Sequence, residues 1–168
     1  MIAEPRNVLA VLFDTLAAYS PTLIGTFPLG VTVDGSDFDI ACEAHDLDRF
    51  ETDVRSALGT LPSTTSRVAV DPTASVTAVD CEGLAIEIFG QPIPVYSQRG
   101  FRHMIVEGRL LAAGGSRLRD AVRQLKRSGI KTEPCFAMLL GLEGDPYAAL
   151  LELESWSPER LRTLVMRL

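Results

Sequence analysis

The sequence predicts an α+β fold, in which a small mixed sheet with flanking helices is followed by a helical C-terminal portion. Three observations predict it. Short β-like runs gather between residues 22 and 89, helix-period segments fill the chain from residue 98 onward, and strands do not alternate with helices as in a regular βαβ repeat. A chain of 168 residues holds one domain with a substantial core and is short for two. A single domain over 1–168 is therefore expected, with about 1–96 as an α/β core and about 97–168 as the helical portion packed on it.

The first helix is expected over 4–18, where Val8, Leu9, Leu12, Phe13 and Leu16 recur at helical spacing, Pro5 suits a first turn and Pro21 ends it. Residues 22–25 read as a short strand that opens into a Gly- and Pro-bearing loop running to Gly35. Over 36–43 the pattern alternates, so Phe38 and Ile40 face one side while Asp37 and Asp39 face the other. Residues 46–58 form an amphipathic helix with Asp46 as its cap and Gly59 as its stop. Three β-rich runs follow, at 67–71, 75–82 and 84–89, separated by Asp71-Pro72 and Glu82-Gly83. Helices are then expected at 98–113, 117–128, 133–142, 146–153 and 158–167, punctuated by Gly114-Gly115, Gly129, Gly144 and Ser157.

Hydrophobic residues at 46% and charged residues at 23% are proportions of a folded globular chain and argue against disorder. The net charge of −6 discourages long nucleic acids and anionic membranes as partners. That average conceals a segregation. Residues 1–98 carry 4 Arg against 14 acids, residues 99–131 carry 7 Arg and 2 Lys against 2 acids, and residues 132–168 carry 3 Arg against 6 acids. No apolar run is long enough to span a membrane. The N-terminus lacks the basic start, apolar stretch and small-residue cleavage site of a signal peptide. Cys42, Cys81 and Cys135 are odd in number and widely spaced, with only His45 and His103 as histidines. This argues against a disulfide framework and a structural zinc site, so a cytoplasmic location is expected.

The chemistry concentrates between Gly25 and Ile40. Asp37 and Asp39 at i and i+2 of a strand emerge from one face about 6.6 Å apart, and two carboxylates so held repel unless a cation lies between them. Oxygen donors of this kind suit Mg²⁺, which uses one or two carboxylates together with substrate phosphates. Upstream, Gly25-Thr26 closes a strand and opens a loop, where glycine permits close backbone approach and the Thr hydroxyl and successive N–H groups can hold a phosphate. A third acid, Glu87, interrupts the apolar run 84–89, with Ile86 and Ile88 turned to the core and Glu87 to the opposite face. Should this strand lie beside that of Asp37 and Asp39, three carboxylates converge on one edge of a sheet.

Gly25-Thr26, a spacer of ten residues that ends at Ser36, Asp37-Phe38-Asp39-Ile40 and the later acid-bearing strand together resemble the polymerase-beta-type nucleotidyltransferase superfamily. The match spans about 21–90, with Thr26 in place of the usual Ser or Gly and Glu87 where Asp is commoner. Glu87-Ile88-Phe89-Gly90-Gln91, Arg102-His103-Met104, Lys131-Thr132-Glu133-Pro134-Cys135-Phe136-Ala137 and Gly144-Asp145-Pro146-Tyr147 look like a bacterial nucleotidyltransferase-like family of unassigned function. The resemblance implies that Asp37, Asp39 and Glu87 bind Mg²⁺ or Mn²⁺ and are the catalytic acids, that Gly25 and Thr26 cradle the β- and γ-phosphates, and that Glu87 favours deprotonation of the acceptor hydroxyl. The implied reaction is attack on the α-phosphorus of an NTP with release of pyrophosphate.

Ser36 beside the motif, and Lys126 and Lys131 as the only lysines of the chain, are further candidates for nucleotide contact. For any one basic residue of 99–131 the blander expectation is a solvated helix face whose arginines pair with acids. His103 and Glu107, four residues apart on a predicted helix, are expected to form a helix-surface contact, and Trp156 to pack at the C-terminus. Haloacid-dehalogenase phosphatases also use Asp-x-Asp, but after a long apolar strand, whereas Val33-Asp34-Gly35-Ser36 precedes it here. The expectation is thus an Mg²⁺-dependent nucleotidyltransferase that acts on a hydroxyl of a small molecule or protein. A binding or regulatory protein on the same fold, of a toxin–antitoxin-like kind with little turnover, is the alternative, and the three retained acids favour the enzyme.

Overall fold

The computed structural model describes residues 5–59, 63–71, 73–81, 83–166 and 168, with backbone alone for residues 5, 6 and 63–71. In chain order the elements are α1 (Pro5–Thr15), β1 (Thr22–Ile24), α2 (Thr26–Leu29), β2 (Phe38–Glu43), α3 (Leu47–Gly59), β3 (Ser63–Asp71), β4 (Ala74–Cys81), β5 (Leu84–Gln91), α4 (Arg99–Arg127), α5 (Thr132–Leu140), α6 (Pro146–Glu152) and α7 (Pro158–Val165). The mixed α+β class expected from the sequence is the one observed. The chain divides into two compact units, one of residues 1–24 and 37–98, the other of residues 25–36 and 99–168.

The first unit is a five-stranded sheet in the order β1-β2-β5-β4-β3. β2 and β5 run parallel, and the other neighbouring pairs are antiparallel. Period-two alternation sorts the strands into two faces. Phe38, Ile40 and Cys42 of β2, Ile86 and Ile88 of β5 and Val79 and Cys81 of β4 form one buried cluster with Val8, Leu12 and Leu16 near the N-terminus and Phe50, Val54 and Leu58 of α3. Burying each of the larger side chains contributes about 1.5–3 kcal/mol, which fixes the register, because a slip of one residue would turn these groups outward. Asp46 caps α3 as expected, its Oδ1 accepting the Arg49 N–H at 3.0 Å. Tyr19 crosses from the end of the first helical segment to α3, its hydroxyl donating to Asp53 Oδ2 at 2.6 Å and its ring meeting Phe50 edge-on. The Asp71-Pro72 and Glu82-Gly83 turns expected from the sequence involve Pro72 and Glu82, which lie outside the described residues.

In the second unit, Val106, Leu110, Leu118 and Val122 of α4 are buried with Cys135 and Phe136 of α5, Leu150 of α6, Leu161 and Val165 of α7, and Val31. The two helices expected at 98–113 and 117–128 occur as one element whose helical dihedrals break at Gly115. α6 and α7 each begin with Pro after a capping residue. Asp145 accepts the Ala148 N–H at 2.8 Å, and Ser157 accepts the Arg160 N–H at 3.3 Å. Trp156 packs against this cluster with the Arg160 guanidinium 3.5 Å over its ring. The loop expected over 26–35 contains the single turn of α2. It is held to α4 by the Arg123 Nη2 bond to the Gly30 carbonyl at 2.7 Å and by burial of Val31.

Candidate active site

In the first unit, the acids that the sequence singles out meet. Asp39 of β2 is paired in register with Glu87 of β5, and Asp37 directly precedes β2. Both strands turn their apolar residues to the core, so Asp37, Asp39 and Glu87 share the other face. They are half-buried and each offers a carboxylate oxygen, all within 4.8 Å of one another. The parallel pairing does this. Neither strand alone brings more than two carboxylates together, and the pairing of Asp39 with Glu87 supplies the third. Three negative charges at this spacing repel strongly, and a divalent cation bound by hard oxygen donors relieves that repulsion. The donor set fits Mg²⁺ or Mn²⁺ and contains no soft sulfur ligand.

Gly25, Thr26, Ser36, Lys126 and Lys131 belong to the second unit. Gly25 adopts φ 73° and ψ −146°, a backbone region open in practice to glycine alone, and directly precedes α2. Thr26 is buried, and its Oγ1 has no hydrogen-bond partner among the described residues. A buried hydroxyl in that state has an unmet bonding capacity. Ser36 Oγ accepts the Val33 N–H at 3.0 Å and so closes the turn through Asp34 and Gly35. Lys126 Nζ donates to Thr132 Oγ1 at 2.8 Å, whereas Lys131 is exposed as the residue that precedes α5.

Most of the other basic residues of 99–131 are engaged inside the second unit, often by backbone carbonyls rather than acids. Arg102 forms a two-pronged pair with Glu154, with the shortest approach 2.6 Å. Arg109 donates to the carbonyls of Glu154 and Trp156, and Arg117 to that of Leu168. Arg123 adds a 3.5 Å contact with Asp120 to its bond with Gly30.

The expected helix-surface contact between His103 and Glu107 is replaced by a buried polar cluster. His103 Nε2 lies 2.9 Å from the Tyr147 carbonyl, and Nδ1 lies 3.6 Å from Glu133. Glu107 is almost wholly buried, with Oε1 unpartnered among the described residues. Burial raises its carboxyl well above the usual carboxylate range, the nearby Glu133 charge adds to this, and Lys126 opposes it. In the unfolded chain the carboxyl ionises near its ordinary value of about 4.3. Above that pH the folded state holds the extra proton, so this group's contribution to stability falls as pH rises until the folded carboxyl ionises. Glu107→Gln, isosteric with the protonated acid, is therefore expected to melt above the wild type at pH 8. The gap should close toward pH 4 in thermal melts, and a gap independent of pH would contradict the buried neutral acid.

A family model described as Domain of unknown function (DUF4269) matches residues 8–153. No curated protein matches the chain. Among solved structures, the fold is similar to the Cid1 poly(U) polymerase with MgGTP bound, at TM-score 0.59 and 10% identity over 86% of this chain and 45% of that one. It is likewise similar to a chain of the GLD-2/RNP-8 complex, at TM-score 0.55 and 11% identity over 89% of this chain and 54% of that one. A cytoplasmic RNA terminal U-transferase matches at TM-score 0.58 and 9% identity over 86% and 44% of the respective chains. At these identities the likeness is one of fold, and this chain spans about half the length of those proteins.

Proposed function

The chain belongs to the family described as Domain of unknown function (DUF4269), and we propose that it is a nucleotidyltransferase that moves a nucleoside monophosphate from an NTP to a hydroxyl of a small molecule or protein. The observation that carries this reading is the convergence of Asp37, Asp39 and Glu87 within 4.8 Å on one face of the sheet. The nucleotidyl-transfer fold of the similar structures supports it. When bound, Mg²⁺ or Mn²⁺ supplies neutralisation of the triphosphate charge. Asp37 and Asp39 would hold the metal. Glu87 would complete the donor set and draw the proton from the acceptor hydroxyl as its oxygen bonds to the α-phosphorus and pyrophosphate departs.

By the sequence resemblance, Gly25 and Thr26 are the proposed triphosphate cradle; Ser36, Lys126 and Lys131 are proposed as further nucleotide contacts from their residue types and positions alone. Within the second unit, the Gly25 dihedrals and the unpartnered Thr26 Oγ1 support the first pair, and the exposed ammonium of Lys131 supports the last. No helix of the described residues is long and apolar enough to cross a membrane.

The test is thermal melting with Mg²⁺ and each NTP, followed by transfer of label from the α-phosphate. A ligand at a hundred times its Kd stabilises by about 2.7 kcal/mol, an easily read shift. Stabilisation by at least one Mg–NTP pair, absent with EDTA, is expected, and no response to any pair would overturn the reading. Binding without any label transfer would favour the regulatory alternative.

A further inference from the structure

Between α4 and α7, within the second unit, lies a cavity of about 270 Å³ lined by Arg109, Ala112, Ala113, Pro158, Leu161 and Arg162. We propose that it binds a small organic anion, a carboxylic acid with an apolar body of aromatic-ring size. Its body would lie against the alanines, Pro158 and Leu161, and its carboxylate would meet Arg109 and Arg162. The lining includes none of the residues proposed to hold metal or nucleotide, so this inference does not depend on the nucleotidyl-transfer reading.

Residue spacing makes the cavity. Arg109, Ala112 and Ala113 stand at i, i+3 and i+4 of α4, and Pro158, Leu161 and Arg162 at i, i+3 and i+4 of α7. Each helix therefore turns one guanidinium and two small or apolar residues to the same space. The helices touch closely at Gly114, where a Cβ would lie 2.6 Å from Val165 Cγ1 and 2.6 Å from Leu118 Cβ. Just before that contact, Ala112 and Ala113 carry only methyl groups and leave room that longer side chains would fill. Leu161 is buried, whereas Ala112 and Pro158 are exposed, so the cavity is open to solvent. Its volume is just under the range of about 300–1,000 Å³ usual for small-molecule sites, and it shares their apolar lining with a few polar groups.

Charge then selects the class. The lining holds two guanidiniums and, among the described residues, no carboxylate. Arg109 is fixed by backbone rather than by an acid, its Nη1 donating to the Glu154 carbonyl at 2.7 Å and its Nη2 to the Trp156 carbonyl. Two of its five N–H donors are so used. The guanidinium is already oriented, which lowers the cost of ordering it around a ligand. The Glu154 carboxylate is bound by Arg102 and acts on Arg109 only through space. Arg162 meets Glu159 at 3.4 Å with both side chains exposed, a surface pair that contributes little and exchanges readily for a ligand. Arg109 is anchored just before α7 and Arg162 stands one turn into it, so a carboxylate in the cavity has a guanidinium to either side along that helix. Planar guanidinium donors match a carboxylate. An ammonium there would face two like charges, and a neutral body would leave both without a counter-charge in the cavity.

Ligand-observed NMR on the full chain tests this, with phenylacetate, 3-phenylpropionate, their amides, the corresponding amines and acetate as probes. At least one of the two aromatic acids should bind about tenfold or more tightly than its amide and amine, which share its body, and than acetate, which shares its head. Arg162→Gln removes one charge and Ala112→Leu fills the cavity, both at exposed positions, so both variants should melt with the wild type. Each should weaken the preferred acid about tenfold. Binding of neither acid, equal or tighter binding of the amide, the amine or acetate, or an affinity unchanged in either variant would overturn the inference. So would self-association in sedimentation that Ala112→Leu abolishes, which would assign the cavity to a second copy of the chain.

Discussion

Asp37→Asn is expected to lower nucleotidyl transfer at least about 100-fold and to abolish the melting response to Mg–NTP, while the metal-free protein melts no lower than the wild type. The two halves of this result have one cause. Asp37 is half-buried beside two other carboxylates, and its own makes no hydrogen bond or ion pair among the described residues. Removing its charge without changing its shape takes away one of three oxygen donors, and losing a single group that stabilises developing charge costs about 10²–10³ in rate. The same change removes the repulsion between Asp37 and the two neighbouring carboxylates. For a chain of this size each kcal/mol of relief corresponds to about 2–4 °C. An acid that merely faces solvent on a strand would show neither effect, and an acid that braces the fold would show a lower melting temperature in EDTA. Melting in EDTA and in Mg–NTP, with label transfer on the same preparation, therefore separates all three roles. Gain of stability with loss of activity is the signature of a site held in a strained arrangement for its ligand.

The triad was legible in the sequence because each of its ingredients is local. Alternation in 36–43 and 84–89 put the acids opposite the core residues of their own strands, and only the pairing of Asp39 with Glu87 had to come from the fold. The Asp46 cap of α3 and the starts of α6 and α7 at Pro146 and Pro158 were legible for the same reason. What escaped is long-range. Nothing local in residues 25–36 shows that Val31 is buried with α4 or that Arg123 bonds the Gly30 carbonyl 93 residues away. The His103 contacts with Glu133 and with the Tyr147 carbonyl join residues from three helices, so i, i+4 spacing pointed to Glu107 instead. The basic stretch misled more generally, because side-chain charge suggests acidic partners, and Arg109, Arg117 and Arg123 reach backbone carbonyls that carry no sequence signal. The sequence does not single out Asp80, and only the packed sheet shows that its carboxylate, which accepts the Gly83 N–H, lines a cleft.

Gly90→Ala is expected to destabilise the fold by about 1–3 kcal/mol although it adds a single methyl. Gly90 lies in β5 between Cys42 of β2 and Ser75 of β4, on the core face. A Cβ built there would sit 2.3 Å from Phe50 Cε1 and 2.5 Å from Cδ1. The ring has little room to retreat. Phe50 is wholly buried and meets the Tyr19 ring edge-on at 4.9 Å between centroids, and Tyr19 is tied to Asp53. Replacing glycine inside a strand would by itself contribute about 0.5–1 kcal/mol toward stability, so the overlap decides the sign. Denaturant unfolding should show the loss. In a cycle with Phe50→Leu, which shortens the offending side chain, the double variant should lose less than the two singles together, by about 0.5–3 kcal/mol. Strict additivity would mean that Phe50 is not the obstacle. The cost also reaches the site. Cys42 opposite Gly90 and Asp39 opposite Glu87 are two rungs of one parallel ladder, three residues apart. A β5 that shifts to relieve Phe50 moves Glu87 away from Asp37 and Asp39. Gly90→Ala should therefore weaken the Mg–NTP response even at temperatures where the variant is fully folded, and Phe50→Leu should restore part of it.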